Sequence, residues 1–446
     1  MSRGRVYLWT PDQSRQVGGS VTVVVVSLPR LDQSSGSSVR LRGRFGRVRN
    51  AAVINEPAAA GDGVQTKSLG DAEPDANGNF LFEPARGGGR VDKVPLAESN
   101  VRRRYVEASR FGEVNTYFHL DRIASYVDTL LQDLGQCSLP LATAVVNAHP
   151  AAVEVNGVRD GVRGRSGRWL PFQGGHYRLP NRSFTVAEHQ PLSPHGEIHL
   201  GPGWRLHRHG ALAEATGRPY RANAAHNAGI IYHEYGHHLA RHTADFIGNA
   251  FRRADQQRND KSAIEEGTCD YWVATMLDTP HIRAWNQGND PQSPHWRCLV
   301  SAKTMAHFDS RPRADPHANG TIWGAALWQL RGELAAFDPE GVRGTDRLVL
   351  QALILLGRLQ PPGENATIGG LRRIRSSFPA GLAALLNADE LLNAGAHRDR
   401  ISSVFAARGI LPDPLVSRIL GNHPSPAKGR AARQADLSKT VGREQP

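Results

Sequence analysis

Residues 230–239 have the sequence IIYHEYGHHL, in which an H-E-x-x-H motif is flanked by apolar residues. Residues four apart lie on one face of a helix, so a helix would present His233 and His237 side by side. Two imidazoles at this spacing can bind one zinc ion, and Glu234 then lies beside the metal, where a general base is needed. The segment predicts a helix over residues 222–242 that carries part of a metal centre.

A histidine-rich surface helix is the alternative interpretation of the same segment. The chain contains 19 histidines, so the motif can arise by chance. His226, His238 and His242 lie close to it and fit a solvated helix as well as a metal site. The motif alone does not decide between the two interpretations.

A second segment, AIEEGTCDYW at residues 263–272, supplies carboxylates at helical spacing. A catalytic zinc requires three protein ligands and one open position, and Glu266 on a second helix can be the third ligand. Asp270, one turn later, can accept the other ring N–H of a ligand histidine. Glu265 is the second choice for the third ligand. The alternative is a solvated helix start, where carboxylates interact favourably with the helix dipole.

A third segment, DPHANGTIW at residues 315–323, places a histidine just before a predicted helix. A lone histidine in such a position is usually structural or exposed. Peptide hydrolysis at zinc, however, gains from a donor aimed at the developing oxyanion. His317 is a candidate for that donor, and Asp315 is its candidate orienting partner.

The remaining pattern predicts a β-rich start and a helical end. Strands are expected at 21–28, within 39–53 and at 80–82, and shorter ones at 141–146, 152–155, 182–187 and 197–200. Helices are expected at 100–134, 262–277, 319–336, 344–359, 378–394 and 398–408. Residues from 422 onward contain almost no large apolar side chains and are predicted to be a flexible basic tail.

Charge and cysteine content restrict the class of protein. The 54 basic and 42 acidic side chains give a net charge of +12, concentrated in residues 1–50 and 421–446. The arginine-rich strands lack the clustered aromatics of a base-stacking surface, so nucleic-acid binding is not expected. Three cysteines are too few for a disulfide framework. No segment is apolar for long enough to span a membrane, and residues 21–28 are interpreted as a strand rather than a signal peptide.

Taken together, three segments resemble the gluzincin metallopeptidases, most closely the fungalysin group and more distantly thermolysin. These segments are HEYGHH at 233–238, EGTCDYW at 266–272 and PHANGTIWGAALW at 316–328. Residues 113–122, EVNTYFHLDR, also resemble the helix that opens the fungalysin catalytic unit. The resemblance spans residues 105–410. It implies the zinc ligands His233, His237 and Glu266, the base Glu234, the oxyanion donor His317 and the supporting carboxylate Asp270.

The fold expected from the resemblance and the pattern is α+β. It comprises a β-rich accessory domain at 1–95 and a two-lobed gluzincin-type catalytic unit. The first lobe covers 96–245 and ends in the H-E-x-x-H helix. The second lobe, at 246–421, is mainly helical, and the basic tail occupies 422–446.

The chain departs from these families in several places. Gly236 and His238 stand where fungalysins usually have Thr and Gly. Thermolysin uses a tyrosine between its second histidine and its glutamate ligand, but residues 239–265 contain none. Tyr220, Tyr232 and Tyr271 are the nearest in sequence. Residues 1–95 also resemble neither a signal peptide nor an inhibitory propeptide, which leaves the compartment open.

The predicted function is a zinc-dependent endopeptidase in which Glu234 deprotonates a metal-activated water that attacks a peptide carbonyl. Its partners are protein or peptide substrates, and its cofactor is Zn²⁺. Two alternatives remain open. An exopeptidase would need a motif that captures the free N-terminus, and residues 211–232 show no such motif. A catalytically inactive binding or adhesion protein would be expected to have lost some of the site residues, yet all are present.

Overall fold

The computed structural model describes most of the chain. The described residues are 1–11, 19–32, 40–57, 64–84, 99–148, 162–163, 169–170, 174–178, 193–201, 205–206, 212–213, 223–246, 262–282, 297–311, 314–338, 340–359 and 375–421. They contain both helices and small sheets, which confirms the mixed α+β class. The strands predicted at 152–155 and 182–187 and the tail predicted at 422–446 lie outside these ranges.

The strands belong mostly to the first half of the chain. They are β1 (Arg3–Pro11), β2 (Gly19–Ser27), β3 (Gly46–Asn50), β4 (Val53–Pro57), β5 (Val64–Ser68), β6 (Ala142–Val146), β7 (Val162–Arg163), β8 (Trp169–Leu170), β9 (Gly175–Arg178), β10 (Glu197–Leu200), β11 (Arg205–Leu206) and β12 (Leu212–Ala213). The helices are α1 (Ser99–Asp133), α2 (Ala228–His242), α3 (Ala263–Leu277), α4 (Pro316–Ala335), α5 (Val342–Gly357), α6 (Phe378–Asn393), α7 (Arg398–Ala406) and α8 (Pro414–Gly421). Short 3₁₀ turns lie at Ala224–His226 and Met305–His307.

A four-stranded sheet in the order β3-β6-β10-β9 lies beside α1 and α2. The pairs β3–β6 and β6–β10 are parallel, whereas β9 runs antiparallel to β10 at the sheet edge. All five residues of β6 are buried, as expected for an inner strand covered on both faces. This arrangement brings the edge strand β9 against the helix that carries the H-E-x-x-H motif.

The predicted boundary at residue 95 does not separate two sheets. β3 comes from the predicted accessory region but pairs in parallel with β6 of the predicted first lobe. Arg30 and Arg44 also form ion pairs with Asp121 and Asp128 of α1. The region predicted as an accessory domain at 1–95 therefore shares a sheet and ion pairs with the region predicted as the first lobe.

The helix predicted at 222–242 is interrupted at Asn227. This residue has an extended backbone (φ −117°, ψ 104°), and its side chain accepts a hydrogen bond from the Ile230 N–H. Asparagine is a favoured N-cap because its side chain satisfies a backbone donor that has no partner within the helix. The 3₁₀ turn Ala224–His226 precedes it, and α2 then runs without interruption through the motif.

Two fully buried histidines tie α1 to its neighbours. His119 contacts the Tyr232 hydroxyl at 2.7 Å through Nδ1 and the Tyr7 carbonyl at 2.9 Å through Nε2. His226 contacts the Ala108 carbonyl at 2.9 Å through Nε2. Burial lowers the pKa of His119 to about 3 and that of His226 to about 4. Both rings are therefore neutral in the folded protein at neutral pH.

The protein should lose stability in mild acid, because these histidines take up protons near pH 6.5 only after unfolding. Their contribution is complete above that pH and is lost as the pH falls towards about 4. At about pH 5.5 the pair should lower the unfolding free energy by about 3 kcal/mol relative to its value well above pH 6.5. Urea unfolding across this range checks the loss. His119→Gln should make the unfolding free energy depend less steeply on pH, whereas His307→Gln, at an exposed position, should not. An equal pH dependence in both variants would contradict the role given to His119.

Candidate metal centre

The candidate centre lies where α2, α3 and α4 meet. α3 packs against α2 on one side and α4 on the other. Each helix brings predicted site residues to this junction: His233, Glu234 and His237 from α2, Glu266 and Asp270 from α3, and His317 from the first turn of α4. The sequence alone could not show that these three helices are neighbours.

Three imidazole nitrogens converge on one carboxylate oxygen. Oε2 of Glu266 lies 3.0 Å from Nε2 of His233, 3.6 Å from Nε2 of His237 and 3.0 Å from Nε2 of His317. The structure therefore brings together the predicted ligands His233, His237 and Glu266, and adds His317 to them.

The other nitrogen of each of these histidines contacts a carboxylate. Nδ1 of His233 lies 3.0 Å from Asp270, Nδ1 of His237 lies 2.8 Å from Glu265, and Nδ1 of His317 lies 2.9 Å from Asp315. Such contacts fix the ring orientation and the tautomer of metal-binding histidines. Each Nε2 is thereby directed toward Glu266, which is the orientation that a shared cation requires.

Burial decides between the alternatives that the sequence left open. His233 and His237 are 7% and 1% exposed, so α2 is not a histidine-rich surface helix. Glu265 and Glu266 are 2% and 0% exposed, so they are not a solvated helix start. Buried carboxylates and imidazoles in this density need a compensating charge or hydrogen bonds.

The charged groups of the site shift the pKa values of Asp270, His233 and Asp315 in the directions that favour their ionised forms. Burial opposes ionisation of Asp270, but Arg297 and His233 hold the pKa of that carboxyl below its usual value. Burial by itself would lower the pKa of His233, yet its contacts with Asp270 and Glu266 raise it. The hydrogen bond with His317 lowers the pKa of Asp315 to about 2. Asp270 and Asp315 are therefore ionised partners for the histidines at neutral pH.

The donor set fits zinc. Two groups of side chains each bring one possible ligand atom per residue within 4.8 Å of one another: His233 with Glu266 and His317, and His233 with His237 and Cys269. Imidazole, carboxylate and thiolate are all zinc ligands. The residues present can thus hold such an ion, with Asp270, Glu265 and Asp315 orienting the rings.

Glu234 lies on the side of the centre that faces the sheet edge. It is 5% exposed, and its Oε2 has no hydrogen-bond partner among the described residues. Gly175 of β9 lies against it: a Cβ on this glycine would approach Oε1 of Glu234 to 2.7 Å. A side chain at position 175 would therefore displace Glu234 from its present position beside the edge strand.

Several residues of this centre were not predicted from the sequence. Arg297 donates to Asp270 at 2.8 Å, and Gly175 borders Glu234. No local pattern marks either residue, because both reach the site from distant parts of the chain. Glu265, the second choice as a metal ligand, instead contacts His237.

Two of the three tyrosines considered as assisting residues have hydroxyls that contact other partners. The Tyr232 hydroxyl contacts His119, and the Tyr271 hydroxyl donates to Asp346. Both rings are fully buried in the core. Tyr220 lies outside the described residues.

Glycines allow α3 and α4 to approach closely behind the centre. A Cβ on Gly267 would lie 2.3 Å from the Gly320 carbonyl oxygen and 3.0 Å from the Gly324 nitrogen. These obstacles are backbone atoms, which a rotamer change cannot move. The close approach holds Glu266, which neighbours Gly267, in register with His317, three residues before Gly320.

We expect Gly267→Ala to force α3 and α4 apart and to destabilise the protein by about 1–3 kcal/mol through overpacking. Metal binding at the candidate centre should weaken with it, because Glu266 moves with the helix. Gly332→Ala is the matched control: it lies on α4 with no atom within 4 Å of its Cβ position. It should stabilise by about 0.5–1 kcal/mol through helix propensity. Chemical unfolding of both variants measures the difference, and equal stabilities would refute the packing argument.

Comparison with known proteins adds no family assignment. No protein-family model matches the chain, and no curated protein matches its sequence. The described helices include none that is both long and apolar enough to cross a membrane. The gluzincin resemblance therefore remains an expectation carried by the motifs.

Proposed function

We propose that this protein is a zinc-dependent endopeptidase acting on protein or peptide substrates. The observation that carries the proposal is the position of Glu234. This buried carboxylate follows the metal-binding candidate His233 directly in sequence, has an oxygen without a described hydrogen-bond partner, and faces the edge strand β9. A carboxylate beside the metal site with an oxygen left available can take a proton from a nucleophile and return it to a leaving group.

The sheet edge supports a peptide as substrate. Among the described strands, β9 pairs with β10 on one side and is the last strand of its sheet. An edge strand offers backbone N–H and C=O groups that an extended peptide can pair with. A peptide bound along β9 would pass Glu234 at Gly175, where the scissile bond has to lie.

The roles of the side chains follow from their contacts. When bound, zinc supplies a Lewis acid that activates water and polarises a carbonyl. His233, His237 and Glu266 would hold it, and Glu234 would accept the proton of the attacking water and transfer it to the leaving amine. His317, oriented by Asp315 and 28% exposed at its side chain, donates from Nε2 to the oxyanion.

The proposal is tested by measuring zinc per chain together with cleavage of internally quenched peptides, with and without a chelator. One zinc per chain and chelator-sensitive cleavage within the peptide are expected. His233→Ala should lose both the zinc and the activity. Hydrolysis of free amino-acid anilides only would indicate an exopeptidase, and zinc binding without any hydrolysis would indicate a binding protein.

A separate test distinguishes His317 as donor from His317 as ligand. We expect His317→Gln to keep the zinc and to lower kcat about 10²- to 10³-fold, because an oxyanion donor acts mainly in the transition state. Metal analysis and steady-state kinetics on the same sample provide both readings. Loss of the zinc would instead make His317 a ligand in the group that it forms with His233 and Glu266.

A further inference from the structure

Cys269 is a buried thiol that touches the metal-binding helix. It lies on α3 one turn after Glu266 and is fully buried. A Cβ on Gly236 of α2 would lie 2.9 Å from the Cys269 sulfur, so the sulfur contacts α2 between its two motif histidines. Glycine at position 236, which departs from the fungalysin pattern, makes this contact possible.

The sulfur also lies within reach of both histidines. One ligand atom from each of His233, His237 and Cys269 lies within 4.8 Å of the other two. The two histidines are thus shared between two possible third ligands on α3, an oxygen from Glu266 and a sulfur from Cys269.

A second observation points to a cation at this place. Oε2 of Glu234, on the same turn of α2, is buried and has no described hydrogen-bond partner. The Cys269 sulfur is fully buried on the same helix that carries the buried carboxylates Glu265 and Glu266. In such surroundings a bound cation compensates the negative charge and permits the thiolate, whose proton is released to solvent.

We propose that His233, His237 and Cys269 form a second donor set that binds thiophilic divalent cations such as Cd²⁺ in place of zinc. Soft thiolate ligands favour soft cations, whereas the carboxylate of Glu266 favours harder ones. A soft ion held through Cys269 occupies both histidines and excludes zinc from them. This inference rests on the proposed metal centre but not on peptidase activity.

The test uses the full-length chain carrying Cys137→Ser and Cys298→Ser, so that Cys269 is its only thiol. Metal-free protein is titrated with cadmium chloride while the ultraviolet thiolate-to-cadmium charge-transfer absorbance is recorded. We expect one band that saturates at one Cd²⁺ per chain. Adding Cys269→Ser should abolish the band and weaken Cd²⁺ binding about tenfold or more, while zinc still binds at one ion per chain. Cys269→Ala replaces the serine variant if that variant fails to fold.

Two results would overturn the proposal. One is stoichiometric Cd²⁺ binding without the band, and the other is a band that persists after Cys269 is replaced. Either result would leave the proposed zinc function intact. A protein that binds neither Cd²⁺ nor Zn²⁺ would overturn the proposed function as well. The zinc measurement therefore distinguishes failure of this proposal from failure of the proposed function.

Discussion

Replacing Glu234 by glutamine is expected to abolish most of the proposed peptidase activity while leaving the proposed zinc site able to bind its metal. Glutamine has nearly the same shape as glutamate but cannot accept the proton of the attacking water. Loss of a general base lowers kcat by about 10²- to 10⁴-fold. Because Glu234 packs against Gly175 and its Oε2 has no hydrogen-bond partner among the described residues, the ligands should keep their positions.

The measurement combines metal analysis with peptide hydrolysis by wild type and Glu234→Gln. Glu390→Gln, at a 59% exposed position on α6, serves as a matched control that should leave both unchanged. Full activity in a zinc-loaded Glu234→Gln protein would rule out Glu234 as the base. Loss of zinc together with activity would show instead that Glu234 is needed for metal binding.

The second large effect is expected from the buried ion pair behind the centre. Asp346 of α5 is fully buried and accepts hydrogen bonds from Arg331 of α4 at 3.1 Å, from Tyr126 of α1 at 2.5 Å and from Tyr271 of α3. It therefore joins four helices through one carboxylate. Tyr271 follows Asp270 directly, so this contact also positions the helix that carries the metal-site carboxylates.

Asp346→Asn should lower the unfolding free energy by about 3–5 kcal/mol, because it leaves the charge of the buried Arg331 without a counter-ion. Replacing both partners, as Asp346→Leu with Arg331→Met, should recover part of this loss: neither charge then stays buried, but the Tyr126 and Tyr271 hydroxyls lose their acceptor. Glu340→Gln, which removes the 42% exposed partner of Arg347, should cost less than about 1 kcal/mol. Urea unfolding of the three variants checks the order, and a double variant no better than Asp346→Asn would contradict it.

Local pattern was sufficient for most of the helices. α3 was predicted at 262–277 and runs from Ala263 to Leu277, and the long helix predicted at 100–134 runs from Ser99 to Asp133. Helix ends were less predictable. α4 was predicted from 319 but begins at Pro316, because Asp315 caps the helix and proline is tolerated in its first turn.

Pairing between distant segments was not visible in the sequence. Of the antiparallel pair β1 and β2, only β2 was predicted from the sequence. Likewise, β3 lies about 90 residues before its partner β6, and nothing in its arginine-rich sequence indicates a parallel neighbour. Strand pairing depends on which segments the rest of the fold brings together, and the sequence of a single strand does not specify its partner.

By itself, the sequence determined which residues of each helix can share a face: His233 with His237, and Glu266 with Asp270, because helical spacing is a local property. The tertiary structure alone decided how α2, α3 and α4 cross. The glycines at 267, 320 and 324 permit a close crossing, but only the assembled fold places Glu266 among three imidazoles. It also directed Glu265 to His237 and Cys269 to Gly236, since the side of a helix that meets its neighbour is decided by packing.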